Sequence, residues 1–213
     1  MSSNELIAGL TQSLKPVKHL SYARICAEWI SITFASFMAI ALLYNFRSDL
    51  AIQFASPLFA AEILLNILLI AVAGLTATAL AYPGRAKAAL HGGMLVFVFA
   101  GYSLITLITA FRNPGVLNSM VITTPHGLEC LLCILSFAAI PALWMLWRLR
   151  ALAITMPMQA GLAALMMATA TGGLGVRLVE AEVVPDGLML WHYLPLLVFS
   201  GIGLFAGAKI FRW

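Results

Sequence analysis

Two thiols, an imidazole and a carboxylate fall within one stretch, "HGLECLLC", as His126, Glu129, Cys130 and Cys133. These are the side-chain types that ligate metals or carry thiol chemistry. Cys130 and Cys133 stand i, i+3, on one face of a helix. His126 lies four residues before Cys130, at or before the helix start, and Glu129 points off the shared face. A structural zinc site takes four ligands, and this set stops at two or three, so a complete zinc site is not expected. Transient binding of a thiophilic ion remains open, because soft thiolates suit soft metals. A thiol reading has its own mechanism: a helix N-terminus favours the thiolate, and a local Cys130–Cys133 disulfide is sterically allowed at a helix start. The third reading is packing, since free cysteine is among the most buried residue types.

Other polar groups lie inside apolar runs. Glu28 could pair with Arg24 at i−4. Glu62 has Asn66 one turn further along the same face, which suggests a polar seam toward a helix-bundle interior. Intramembrane acids are functional candidates, but no chain of acids crosses the apolar segments, which argues against ion translocation. His192, within "WHY", fits an aromatic belt. Haem would need a second axial histidine at matching depth. His126 falls in a Pro/Gly loop and His91 at the wrong end. No cofactor is expected.

What must position these groups follows from composition. The chain has 213 residues, 62% hydrophobic and only 9% charged, where a soluble domain carries about 25% charged residues. Too few charges remain to dress a water-facing surface, so the chain reads as an integral membrane protein. Its formal charge of +4 is explained by the positive-inside rule, and direct nucleic-acid binding is not expected. Three cysteines are no disulfide framework.

A membrane span needs roughly 20 apolar residues. Six segments qualify: about Ala23–Phe46, Leu58–Tyr82, Leu90–Phe111, Leu128–Trp147, Pro157–Val176 and Leu188–Ala208. Backbone groups in lipid must be satisfied internally, so these are helices. The fold class is an all-α, integral membrane six-helix bundle. The first run is long enough to span and no small-residue cleavage site follows it, so it reads as a retained span and not a signal peptide. With the N-terminus inside, nine basic residues lie inside and only Arg47, Arg112 and Arg177 outside, which places both termini in the cytoplasm. Cys130 and Cys133 then face outward. Cys26 sits at the inner end of the first span, roughly 30 Å away across the hydrocarbon, too far for a disulfide with either. Small residues four apart (Ala164, Ala168 and Gly172, and Gly203 with Gly207) suit close helix packing, with self-association as a second use.

Residues 1–22 form a separate cytoplasmic segment before the transmembrane domain, 23–213. Ser2 and Glu5 have capping-box spacing, and Leu6, Ile7, Leu10 and Leu14 share one helical face. Pro16 stops that helix, and Val17 and Leu20 continue the apolar pattern. So short a helix is marginal alone in water and must bury its stripe. Two readings compete: an amphipathic helix on the inner membrane surface, or a peptide that folds into a partner's groove. The polar face is Ser, Asn, Thr and Gln, not Lys-rich, which weakens the first.

Several stretches together resemble the NrsF family of bacterial membrane anti-sigma factors. They are "NELIAGLTQSLKPVKHL", "ASPLFAAEILLNILLIAVAGLTATALAYPGR", "HGLECLLCILSFAAIPALWMLWRLR" and "LWHYLP", with order and spacing carrying the resemblance. The resemblance implies a six-helix inner-membrane protein, not an enzyme. It would hold an extracytoplasmic-function sigma factor through the N-terminal segment and release it on an external stress. Leu6, Ile7, Leu10, Leu14, Pro16, Val17 and Leu20 become the docking stripe. Cys130 becomes the sensing thiol, with Cys133 and His126 beside it. Family members often carry a second cysteine in the last outer loop. Here that loop, "RLVEAEVVPDG", has none, and Cys133 is the substitute partner. The alternative is a membrane redox or transport protein using the Cys, His and Glu groups, which predicts a bound cofactor or a solvent path through the bundle.

Overall fold

The computed structural model describes residue 9 and residues 21–82, 88–112, 125–152, 154–180 and 188–211, and every regular element among them is helical. The residues expected to form a docking stripe, Leu6, Ile7, Leu10, Leu14, Pro16, Val17 and Leu20, lie outside the described residues. The helices are α1 (Tyr22–Tyr44), α2 (Leu50–Phe54), α3 (Pro57–Leu80), α4 (Ala88–Phe111), α5 (Pro125–Arg150), α6 (Pro157–Val179) and α7 (Leu194–Ile210). A π-helical turn over Leu188–Tyr193 leads into α7. Six of the helices are long and apolar enough to cross a membrane, which fits a multi-pass membrane protein. They alternate in direction. The near end holds the start of α1, with Tyr22 edge-on to Tyr82 of the α3–α4 connection; the far end holds Tyr44, edge-on to Phe137 of α5.

Proline opens several of these helices. Pro57, Pro157 and Pro195 stand in first turns, where a missing N–H costs nothing and φ is already helical. Inside the helices, Thr76, Thr78, Ser103, Thr106, Thr169, Thr171 and Ser200 each donate a hydroxyl hydrogen bond to the carbonyl four residues back. That satisfies the hydroxyl within its own helix, as a low-dielectric interior requires.

The outside of the bundle is apolar. Leu42, Phe97, Leu143, Trp147 and Phe205 are all at least 66% exposed, a surface suited to lipid and not to water. The centre is α6. Of its apolar window 83% is buried inside the protein, against 22–50% in the other five spans. Small residues make that position possible. A Cβ on Gly161 would lie 2.2 Å from the Gly203 carbonyl oxygen, and one on Gly207 2.2 Å from the Pro157 carbonyl oxygen. On the other side of α6, a Cβ on Gly172 would lie 2.2 Å from the Ile134 carbonyl oxygen of α5. The small-residue spacings are therefore used inside the bundle, at backbone-to-backbone contacts.

Helix ends depart from the sequence expectation. The stretch read as a connector, "RSDLAIQFASP", contains α2, and α5 runs on through Arg148 to Arg150. α6 continues past Val176 through Arg177 and Leu178, residues that reading assigned to a loop because one is charged. The continuation is physical: Arg177 is buried and finds a carboxylate, as described below.

The packing predicts an asymmetry between glycines. Gly161→Ala should cost about 1–3 kcal/mol, the usual range for overpacking, because its methyl would meet backbone and not a movable side chain. Gly201→Ala, whose Cβ meets nothing within 4 Å, should be close to neutral. Unfolding of both variants in detergent, followed by circular dichroism, distinguishes the two; equal midpoints would contradict the packing described.

Candidate functional site

The charged groups inside the bundle gather at its two ends. At the near end Glu28 accepts from Arg24 at 2.8 Å, the i−4 pair expected from sequence. It also accepts from Arg148 of α5 at 2.8 and 3.1 Å, which ties α1 to α5.

At the far end the first group is a buried ion pair. Arg177, in the last turn of α6, donates from Nε and an Nη to the two carboxylate oxygens of Glu62, both at 2.8 Å. Glu62 is 2% exposed and Arg177 7%. The guanidinium also stacks over the Phe59 ring, 5.1 Å from its centroid. Asn66, one turn below Glu62, donates to the Tyr102 hydroxyl of α4 at 3.4 Å. The polar seam read from Glu62 and Asn66 is thus present, and it ends on a partner that the sequence reading had placed outside. The clue was available: a carboxylate in a span needs a cation at its own depth, and Arg177 follows directly on an apolar run.

Arg177 sits between two further ties. The Leu178 carbonyl accepts from the Arg47 backbone N–H at 3.1 Å, fastening the α1–α2 link to the end of α6. Asn45 makes the turn into that link at the end of α1, with φ 56° and ψ 151°. The Arg47 guanidinium bonds both oxygens of Asp49, and Gln53 adds a third bond at 3.0 Å. These hydrogen bonds, from Arg47 first and Gln53 second, hold the Asp49 carboxyl well below the usual carboxylate range.

The second group contains the cysteine singled out from sequence. The Cys130 thiol, 7% exposed, donates to Glu180 at 3.2 and 3.5 Å from its two oxygens. Glu180 is the residue that caps the C-terminus of α6. Its carboxylate lies 3.7 Å from Nε2 of His192, in the π-helical turn before α7. Three elements therefore bring sulfur, oxygen and nitrogen atoms to one point. Cys130 is six residues into α5 and bonded as a donor, so it is not the helix-end thiolate that the sequence reading described. Cys133 is a free, half-buried thiol one turn on. It lines a cleft of about 220 Å³ with Tyr44, Glu129, Cys130, Phe137 and Glu180. His126 stands in the first turn of α5, but its side chain lies outside the described residues. Cys26 is at the other end of the bundle, 3.9 Å from the Thr78 hydroxyl.

Sequence reasoning missed Glu180 and His192 as neighbours of Cys130. Glu180 was read only as part of the loop "RLVEAEVVPDG", and His192 as part of an aromatic belt. Only the fold, which ends α6 beside the second turn of α5, brings them together.

A family model described as NrsF, negative regulator of sigma F, matches residues 10–213, nearly the whole chain. No curated protein and no solved structure matches it.

The buried pair predicts a specific imbalance. Arg177→Met leaves the Glu62 carboxylate without its partner and should cost about 3–5 kcal/mol of stability. Glu62→Gln combined with Arg177→Met removes both charges and should recover most of that loss. Denaturant titrations of the single and double variants measure the cycle. A double variant as unstable as Arg177→Met alone would show that the pair acts through something other than charge.

Proposed function

The chain belongs to the NrsF family, negative regulators of sigma F, and we propose that it is a non-enzymatic membrane anti-sigma factor for an extracytoplasmic-function sigma factor. The match that carries this reading includes Leu10, Leu14, Pro16, Val17 and Leu20 of the N-terminal stripe. In this reading the chain lies in the bacterial inner membrane with both termini cytoplasmic, an orientation supported by the distribution of Lys and Arg. Leu6, Ile7, Leu10, Leu14, Pro16, Val17 and Leu20 bury their apolar stripe in a groove of the sigma factor and keep it from core polymerase. The far end of the bundle faces outward and receives the stress signal at Cys130, with Cys133 and His126 nearby.

The geometry supports a route between the two ends. α1 follows the N-terminal segment directly and reaches the far end at Tyr44. There Ile40 packs with Ile134, Phe137 and Val176, and Cys133 and Val179 lie against this cluster. Chemistry that separates Cys130 from Glu180 moves α5 relative to the end of α6, the two surfaces on which α1 rests. α1 is less deeply held than α6, with 28% of its window buried, so it is the element we assign to the two-state step that coupling requires.

Two measurements test this. Co-purification of a sigma factor with the full chain should be abolished by Leu10→Asp combined with Leu14→Asp; a complex that survives both substitutions rules out the docking stripe. Cys130→Ser should leave the complex intact and blunt its release under stress, read by a sigma-dependent reporter. Loss of the complex itself in Cys130→Ser would assign that residue a structural role instead.

A further inference from the structure

We propose that Cys130, Glu180 and His192 form a binding site for one thiophilic divalent cation of the zinc type. The Cys130 sulfur, a Glu180 carboxylate oxygen and a His192 ring nitrogen all lie within 4.8 Å of one another. Ligand atoms around a tetrahedral zinc ion, at bonds of about 2.0–2.3 Å, stand roughly 3.3–3.8 Å apart. The Glu180 oxygen that lies 3.7 Å from His192 Nε2 is 3.5 Å from the Cys130 sulfur, so both approaches are already on that scale. The cysteine–histidine separation has the most to close, by about 1.5 Å at most against that spacing.

The donor set selects the ion. One sulfur, one oxygen and one nitrogen suit zinc and its thiophilic neighbours, whereas calcium and magnesium take oxygen ligands. Charge agrees with chemistry. A thiolate and a carboxylate neutralise a divalent cation, and neutral imidazole adds no charge, so the loaded site is uncharged beside an apolar interior. Binding replaces the thiol proton, which leaves to solvent; no electron moves. Three protein ligands leave a fourth position. Cys130 and Glu180 both line the cleft of about 220 Å³, which supplies an entry path and room for a water at that position.

This site differs from the one the sequence suggested. Of its ligands only Cys130 comes from "HGLECLLC"; Glu180 closes α6 and His192 lies in the turn before α7. A bound cation would replace the thiol hydrogen bond and pin those three elements together. As a trigger for release it rests on the anti-sigma reading; the binding itself does not.

The test uses the full chain in detergent, stripped with chelator and titrated with Co²⁺ as a spectroscopic probe, then with Zn²⁺ in competition. We expect one Co²⁺ per chain, a thiolate-to-cobalt charge-transfer band, and displacement by Zn²⁺. Cys130→Ser should abolish the band, and Glu180→Gln and His192→Gln should each weaken binding at least about tenfold. Cys133→Ser should leave it unchanged. Helix content and melting of the metal-free variants identify any that fail to fold. X-ray absorption of the wild-type zinc form should then show one sulfur and the rest nitrogen or oxygen. Absence of stoichiometric binding, a shell without sulfur, or full affinity in Cys130→Ser or His192→Gln overturns the proposal. Binding with these properties, but with an unchanged hold on the sigma factor, supports the site and rejects only its use as a signal.

Discussion

The rest of the structure hangs on the thinness of α6. A helix can occupy the axis of a six-span bundle only if its neighbours can approach it closely, and in lipid close van der Waals packing supplies much of the driving force for association. Gly161 and Gly172 give that access at two levels, to α7 and α5 respectively, each at a point where even one methyl group would strike a carbonyl oxygen. Buried alanines such as Ala160, Ala163, Ala164 and Ala168 fill the intervening surface. Because most of α6 is buried among the other helices, its C-terminal end is brought against several of them at once. That end carries Arg177, Leu178 and Glu180 in succession, which reach Glu62 of α3, Arg47 after α1, and Cys130 of α5. The far-end site is thus a consequence of how the axis is packed.

Two kinds of polar contact share that end, and they differ in what they can do. Glu62 and Arg177 are a bidentate, nearly inaccessible pair. Removing one partner would strand a charge in a low-dielectric interior, so the pair resists piecemeal change and fixes depth and register between α3 and α6. The Cys130–Glu180 contact is a single thiol–carboxylate hydrogen bond beside a cleft. It is lost if the thiol loses its proton, is oxidised or takes a metal. A rigid pair one turn from a changeable one is an arrangement in which local chemistry shifts one helix contact without loosening the bundle.

The six spans were legible in the sequence because length and apolarity are sufficient signals for them. Their ends were less so. Arg177 was read as a loop residue since an isolated charge usually marks one; its true position depends on a carboxylate 115 residues away, which no local pattern encodes. The Arg24–Glu28 pair was legible because both partners lie on one helix, while Arg148, the other partner of Glu28, was not. At Cys130 helix position suggested a stabilised thiolate, whereas the fold places an acidic neighbour, Glu180, against the thiol. The family resemblance, carried by order and spacing along most of the chain, agrees with the family match over residues 10–213.

That acidic neighbour bears on how an outer-face signal would work in this chain. The loop between α6 and the π-helical turn before α7 has no cysteine to pair with Cys130, so a disulfide across to that loop is not available to it. Glu180, which closes α6 at the border of that loop, meets the thiol directly and accepts its proton in a hydrogen bond. Under the proposed reading, the tie between α5 and the end of α6 is therefore set by whether Cys130 can donate, not by a second sulfur. Deprotonation of the thiol converts a donor–acceptor contact into two adjacent negative charges unless a cation arrives with it. In a weakly solvated site such repulsion is poorly screened, and the cleft beside Tyr44 and Phe137 gives the helices room to respond. The same two aromatic rings form one of the contacts by which the far end of α1 rests on α5, so the response falls on the helix that leads back to the N-terminal segment.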